Sequence, residues 1–137
     1  MTIIVTDEGF SADTWDKEFT PLGEAANDVA ALDVPSDTDP DTIPLTSEII
    51  RVDFPSFADG RGFTIARMLR LRGYKGRLRA HGHVLADQYA MARRTGFDEV
   101  EISQALAARQ PEDQWAFRAD WKAHDYQSRL RGGPVAV

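Results

Sequence analysis

The fold is decided by residues 49–103, IIRVDFPSFADGRGFTIARMLRLRGYKGRLRAHGHVLADQYAMARRTGFDEVEIS. Ile49–Phe54 is rich in β-branched and aromatic residues and is closed by Pro55, which reads as a strand. From Phe63 to Arg72 the apolar residues fall at helical spacing, with Ile65, Met68 and Leu69 on one face and Arg67 and Arg70 off it. Arg77–His81 alternates as a second strand, Val84–Thr95 predicts a second helix around Leu85, Tyr89 and Ala92, and Glu99–Ile102 alternates again. Both helices stop at glycine followed by an aromatic, Gly73-Tyr74 and Gly96-Phe97. That pair predicts a left-handed glycine with an apolar residue folding back on the last turn. The unit is strand–helix–strand–helix–strand, so the fold class is α/β with a βαβαβ core and a small parallel sheet. The repeat length also fits part of a β/α barrel, and a small open sheet is the alternative.

The strands carry a second signal. Val52, Leu78, Ala80, Val100 and Ile102 can face the helices, which puts Arg51, Asp53, Arg77, Arg79, His81, Glu99, Glu101 and Ser103 on the opposite face. A face of both signs is solvated, laced by ion pairs, covered by another part of the chain, or part of a site.

Working outward, Ile3–Val5 reads as a short strand, and Asp7–Phe19 has loose helical spacing through Phe10, Trp15 and Phe19. The run 33–44, DVPSDTDPDTIP, holds three prolines and four aspartates and reads as a flexible loop. Gln104–Arg109 is a short helix, another starts at Pro111 and runs toward His124, and 125–137 reads as a mobile tail. The 137 residues make one domain: an acidic N-terminal extension over 1–48, the core over 49–103, and the tail.

The net charge of −6 divides into −11 over residues 1–48, +7 over 49–97 and −2 over 98–137. An acidic first third and an acidic total argue against nucleic acid as a partner. No cysteine means no disulfide, no thiolate nucleophile and no cysteine-held zinc or iron–sulfur cluster. No apolar run is long enough to span a membrane, and the first residues lack the pattern of a signal peptide, so the expected location is the cytoplasm.

In parallel α/β sheets the ligand groups gather on loops beyond the carboxyl ends of the strands. Two such loops exist here. In the first, Asp59-Gly60-Arg61-Gly62, two glycines let backbone approach a ligand and Arg61 offers a guanidinium fork to an anion. The competing reading has Asp59 capping the helix and Arg61 paired with Asp53 or Asp59. The second loop, His81-Gly82-His83-Val84-Leu85-Ala86-Asp87-Gln88, offers His81 as a general base oriented by Asp53 or Asp87. His81, Asp53 and Asp87 are therefore the candidate catalytic residues. Asp59, Gly60, Arg61, Gly62, Arg79 and Gln88 are the candidate anion-binding residues, and no metal site is assigned. An enzyme of this kind would gather Asp53, Asp59, Arg61, His81 and Asp87 in one pocket. An interaction module would leave them paired with one another on a flat surface.

The strings DFPSF at 53–57, DGRG at 59–62, LRA at 78–80, VLADQ at 84–88 and GFD at 96–98, with Leu69-Arg70 and Gly73-Tyr74 between them, carry a further reading. Over about 50 residues this pattern resembles a bacterial domain-of-unknown-function family labelled oxidoreductase and often encoded beside assimilatory sulfite reductase. That family frequently has aspartate where this chain has His83, which lends no support to a metal held by His81 and His83. The resemblance implies an accessory protein of assimilatory sulfate or sulfite reduction, with sulfite reductase or another sulfur-assimilation protein as partner. The alternatives are a small α/β enzyme or binding domain for a small anion, and a protein-interaction module without catalysis, either of which can form homo-oligomers. No flavin, nicotinamide or haem motif is present, so the cofactor stays unknown.

Overall fold

The computed structural model describes residues 2–24 and 29–118. Seven strands form one sheet: β1 (Thr2–Thr6), β2 (Gly9–Ala12), β3 (Thr20–Pro21), β4 (Ala31–Val34), β5 (Ile49–Phe54), β6 (Arg77–Gly82) and β7 (Glu99–Ser103). Four helices accompany them: α1 (Arg61–Leu71), α2 (Tyr89–Thr95), α3 (Gln104–Arg109) and α4 (Glu112–Arg118). Short 3-10 turns lie at Leu22–Glu24, Pro40–Thr42 and Ala86–Gln88. No helix among the described residues is long and apolar enough to cross a membrane.

The sheet order is β2-β1-β7-β6-β5-β4-β3. Strands β3 to β7 are parallel and lie in sequential order, as in a barrel wall, while β1 pairs antiparallel with β7 and β2 antiparallel with β1. The βαβαβ core is thus the predicted α/β unit, extended at both edges into an open sheet, but the second helix, expected from Val84, starts only at Tyr89, after the 3-10 turn that Gln88 clamps through the Leu85 amide. Apolar residues of the strands (Leu32, Val34, Ile50, Val52, Phe54, Leu78, Ala80, Val100, Ile102) share one core with Phe63, Ile65, Leu69, Tyr89, Leu106 and Trp115 from the helices. This single cluster fixes the helical layer on one face.

Both helix ends follow the predicted motif. Gly73 and Gly96 have φ of +97° and +122°. The amides of Tyr74 and Phe97 donate to the carbonyls of Leu69 and Ala92, each at 3.0 Å, and those of Gly73 and Gly96 donate to Arg70 and Arg93. Tyr74 and Phe97 are buried against the core. These are the bonds that close a Schellman turn.

Two N-terminal expectations need correction. Asp7–Phe19 is not helical: Gly9–Ala12 forms a hairpin with β1, and its Phe10 packs edge-on to Trp115 at 6.5 Å. The hydrophobic spacing of Phe10, Trp15 and Phe19 serves two different surfaces, which local periodicity cannot distinguish. Residues 33 and 34, read as loop, are instead the end of β4, because Asp33 pairs in register with Arg51 and Val34 with Val52. The rest of that stretch is turn and 3-10 structure capped by Asp39, whose side chain accepts from the Asp41 amide. The continuation of α4 toward His124 and the tail 125–137 lie outside the described residues.

Candidate functional site

The sheet face opposite the helices carries the charges that strand alternation places there. Strand register sets Asp33, Arg51, Arg79 and Glu99 side by side across β4 to β7, and Asp53, His81 and Glu101 side by side two residues further on. Arg51 donates to both oxygens of Asp33 at 2.6 and 2.7 Å and to Glu101 at 3.1 Å. Arg79, with its side chain 0% exposed, donates to Glu99 at 2.5 Å, to Glu101 at 2.9 Å and to both oxygens of Asp13. Arg77 completes the layer by pairing with Glu99 at 2.8 Å. Burial works against the Arg79 guanidinium, but its bonds to Asp13 and the charge of Glu99 outweigh this and hold it above its usual value. Burial likewise acts to raise the Asp13 carboxyl, and its bond from Arg79 overrides that and leaves it below the ordinary range.

The acidic N-terminal segment covers this layer. Phe19 lies under Arg51 at 3.9 Å and under Arg79 at 5.6 Å, and Trp15 lies 6.0 Å from Arg77. The face is therefore both laced by ion pairs and covered by the first third of the chain. Each buried charge has a partner, as burial of charge requires.

Arg79, expected to bind an anion, is spent here. Three carboxylates hold it, and no ligand anion can reach a guanidinium that is closed from solvent. Gly60-Arg61-Gly62 is spent in another way. Arg61 donates through Nε and Nη2 to Asp59 at 3.0 and 2.8 Å and through Nη2 to the Ser36 hydroxyl at 3.1 Å, with its side chain 60% exposed. The Arg61 side chain and backbone amide, both bonded to Asp59, hold that carboxyl well below the usual range. Gly62 is a packing requirement, since a Cβ there would stand 2.5 Å from the Phe54 ring. At Gly60 the nearest atom to a Cβ is 3.8 Å away, so no close approach calls for glycine.

Gln88 clamps the second loop. Its Oε1 accepts from the Leu85 amide at 2.8 Å and its Nε2 donates to the Phe57 carbonyl at 3.1 Å. Asp87 is exposed on the 3-10 turn. His81 sits between carboxylates, with Nδ1 3.8 Å from Asp53 and Nε2 3.5 Å from Glu101. The structure thus brings His81 and Asp53 together, whereas Arg61 lines a different cavity with Ser36 and Thr64. The five side chains expected in one pocket do not converge. Among the described residues no three His, Asp or Glu side chains gather as metal ligands.

What the residues missed is a cavity of about 270 Å³ at the carboxyl ends of β6 and β7. His81, His83, Ser103 and Arg109 supply its polar wall, and Phe57 and Leu106 its apolar one. His83 donates Nδ1–H to the Phe54 carbonyl at 3.3 Å and meets the Phe57 ring edge-on at 5.1 Å. The Ser103 hydroxyl caps α3 by accepting from the Leu106 amide at 3.1 Å, which leaves its proton for another acceptor. Arg109 ends α3, is exposed, and has no ion pair among the described residues. The carboxylate in the lining, Glu101, already accepts from Arg51 and Arg79. Such a wall can hold a small anion. Nothing in the local sequence of Gln104–Arg109 marks Arg109, because only the β7–α3 turn carries it back to His81.

A family model described as bacterial protein of unknown function (DUF934) matches residues 31–135. The chain belongs to that family. The DUF934 match spans β4 to α4 and so contains the whole cavity apart from Thr2. No curated protein and no solved structure matches the chain.

Proposed function

We propose that this DUF934 protein is a cytoplasmic accessory protein of assimilatory sulfate or sulfite reduction that binds a small anion while working with or near sulfite reductase. The sulfur context comes from the resemblance of residues 53–98. The observation that carries the binding is Arg109, a cation at the rim of the carboxyl-edge cavity with no ion pair among the described residues, where Arg51, Arg61 and Arg79 all have theirs. Parallel sheets place ligands at this edge, and an arginine free to offer its fork is the side chain best suited to an oxyanion. His81, aligned between Asp53 and Glu101, is the group placed to exchange a proton with a ligand there.

Deletion of the gene should slow growth on sulfate as sole sulfur source and lower sulfite reductase activity. Wild-type protein should restore both, and Arg109→Ala should not. Normal growth with unchanged reductase activity would remove the proposal. A second reading, an interaction module, is favoured by Leu71 and Met91, which are 70% and 51% exposed on α1 and α2. Leu71→Asp that abolishes complementation while Arg109→Ala retains it would decide for that reading.

A further inference from the structure

The walls of the carboxyl-edge cavity narrow the kind of anion it takes. Liquid water gives each molecule about 30 Å³, so a space of about 270 Å³ has room for roughly nine non-hydrogen atoms. A bare five-atom oxyanion fills about half of it. Its lining is also two-sided. Phe57, half-buried, offers hydrocarbon beside the already buried Ile102 and Leu106, while Arg109 offers charge and Ser103 and His81 offer hydrogen bonds. The apolar wall is held in place: Phe57 is fixed by its contact with His83 and by the bond from Gln88 to its carbonyl, and Leu106 is buried. An inorganic anion keeping its hydration would leave the Phe57 ring idle, whereas a ligand with a short hydrocarbon part would cover it and take its own hydrocarbon out of water.

We infer that the cavity binds a short organic oxyanion of about six to nine non-hydrogen atoms, with a sulfonate or carboxylate head at Arg109 and Ser103 and a hydrocarbon tail against the Phe57 ring. The inference rests on the reading of this cavity as the functional site, and it names the ligand class. Cation and apolar wall then divide the work: Arg109 selects charge, and the wall selects length.

Calorimetric titration of the full chain with sodium sulfate, ethanesulfonate, butanesulfonate, butyrate and neutral butanol tests this. Each buried CH₂ should tighten binding about fourfold, so butanesulfonate should bind roughly tenfold or more tighter than ethanesulfonate. It should also bind tighter than sulfate, and butanol should not bind measurably. Butyrate against butanesulfonate reports which head the site prefers. Arg109→Ala and Arg109→Gln should weaken butanesulfonate at least tenfold with an unchanged Tm, since Arg109 is exposed and outside the core. Sulfate binding as tightly as butanesulfonate, with both lost in the Arg109 variants, would overturn the organic ligand class and leave the anion site standing. No binding by any anion, or binding indifferent to Arg109, would overturn both.

Discussion

The segments that follow β5 and β7 leave the same sheet edge, and they do opposite things with their cations, Arg61 and Arg109. After β5, Arg61 is exposed yet clasped by Asp59 and Ser36, and the glycine beside it exists to admit the Phe54 ring. Beyond β6 and β7, His83, Ser103 and Arg109 surround a cavity whose one carboxylate is already bonded to two arginines from the sheet. The comparison teaches that exposure does not make a cation available. What matters is whether the chain has supplied its counter-charge. By that criterion the glycine-flanked arginine, the most ligand-like motif in the sequence, is a structural clasp, and an arginine with no motif around it is the better candidate.

The largest expected effect tests the floor on which this contrast stands. Arg79→Met leaves Glu99, Glu101 and Asp13 around a neutral side chain, and unpairing a buried charge network costs about 3–5 kcal/mol. Urea denaturation should show that loss, and anion binding should fall as well, because Glu101 would face the cavity without one of its neutralising partners. A near-neutral Arg79→Met would mean that the layer does not organise the site.

Gly62→Ala should come next, at about 1–3 kcal/mol, since the added Cβ meets a ring within the packed core. Anion affinity in the surviving folded protein should be unchanged. Gly60→Ala, with room for its Cβ, is the control and should leave stability near wild type.

A smaller effect is tied to pH. The Asp13 carboxyl titrates below its ordinary value in the folded chain, so its contribution to stability is present in full above the unfolded value near 3.8 and disappears as the pH falls through the folded one. Wild type should therefore exceed Asp13→Asn in stability at pH 6, and the two should converge as the pH falls below about 3.8. A gap that persists at pH 2 would show that the carboxylate charge is not what ties the N-terminal segment over Arg79.

The smallest effect belongs to Arg61→Ala. The Arg61 side chain is exposed, where an ion pair contributes little, and Asp59 keeps its bonds from Ser36 and the residue-61 amide. Tm, anion affinity and complementation should therefore all stay close to wild type. Loss of activity at unchanged Tm would return the site to the first turn and reverse the comparison.

The core of this fold is legible because its signals are local. Gly73-Tyr74 and Gly96-Phe97 announce helix ends that need nothing but the helix itself, and alternation in Arg77–His81 and Glu99–Ile102 sorts the two sheet faces. The N-terminal third is not legible for the converse reason. Phe10 packs on Trp115 and Phe19 packs under Arg51, so its apolar residues answer to partners far along the chain. Asp33 likewise belongs to a strand because Arg51 lies beside it, which aspartate and proline content conceals. His81 and its neighbour Asp53 could be read from strand-end position. Arg109 could not, since its nearness to His81 exists only once β7 lies against β6.

The central contrast reduces to where an anion touches the chain. A titration of isotope-labelled protein with butanesulfonate, followed by amide chemical shifts, measures that position directly. The shifts should concentrate on Gly82, His83, Ser103, Leu106 and Arg109 and leave Gly60, Arg61 and Gly62 still. Shifts centred on 60–62 with a silent 103–109 segment would contradict the assignment.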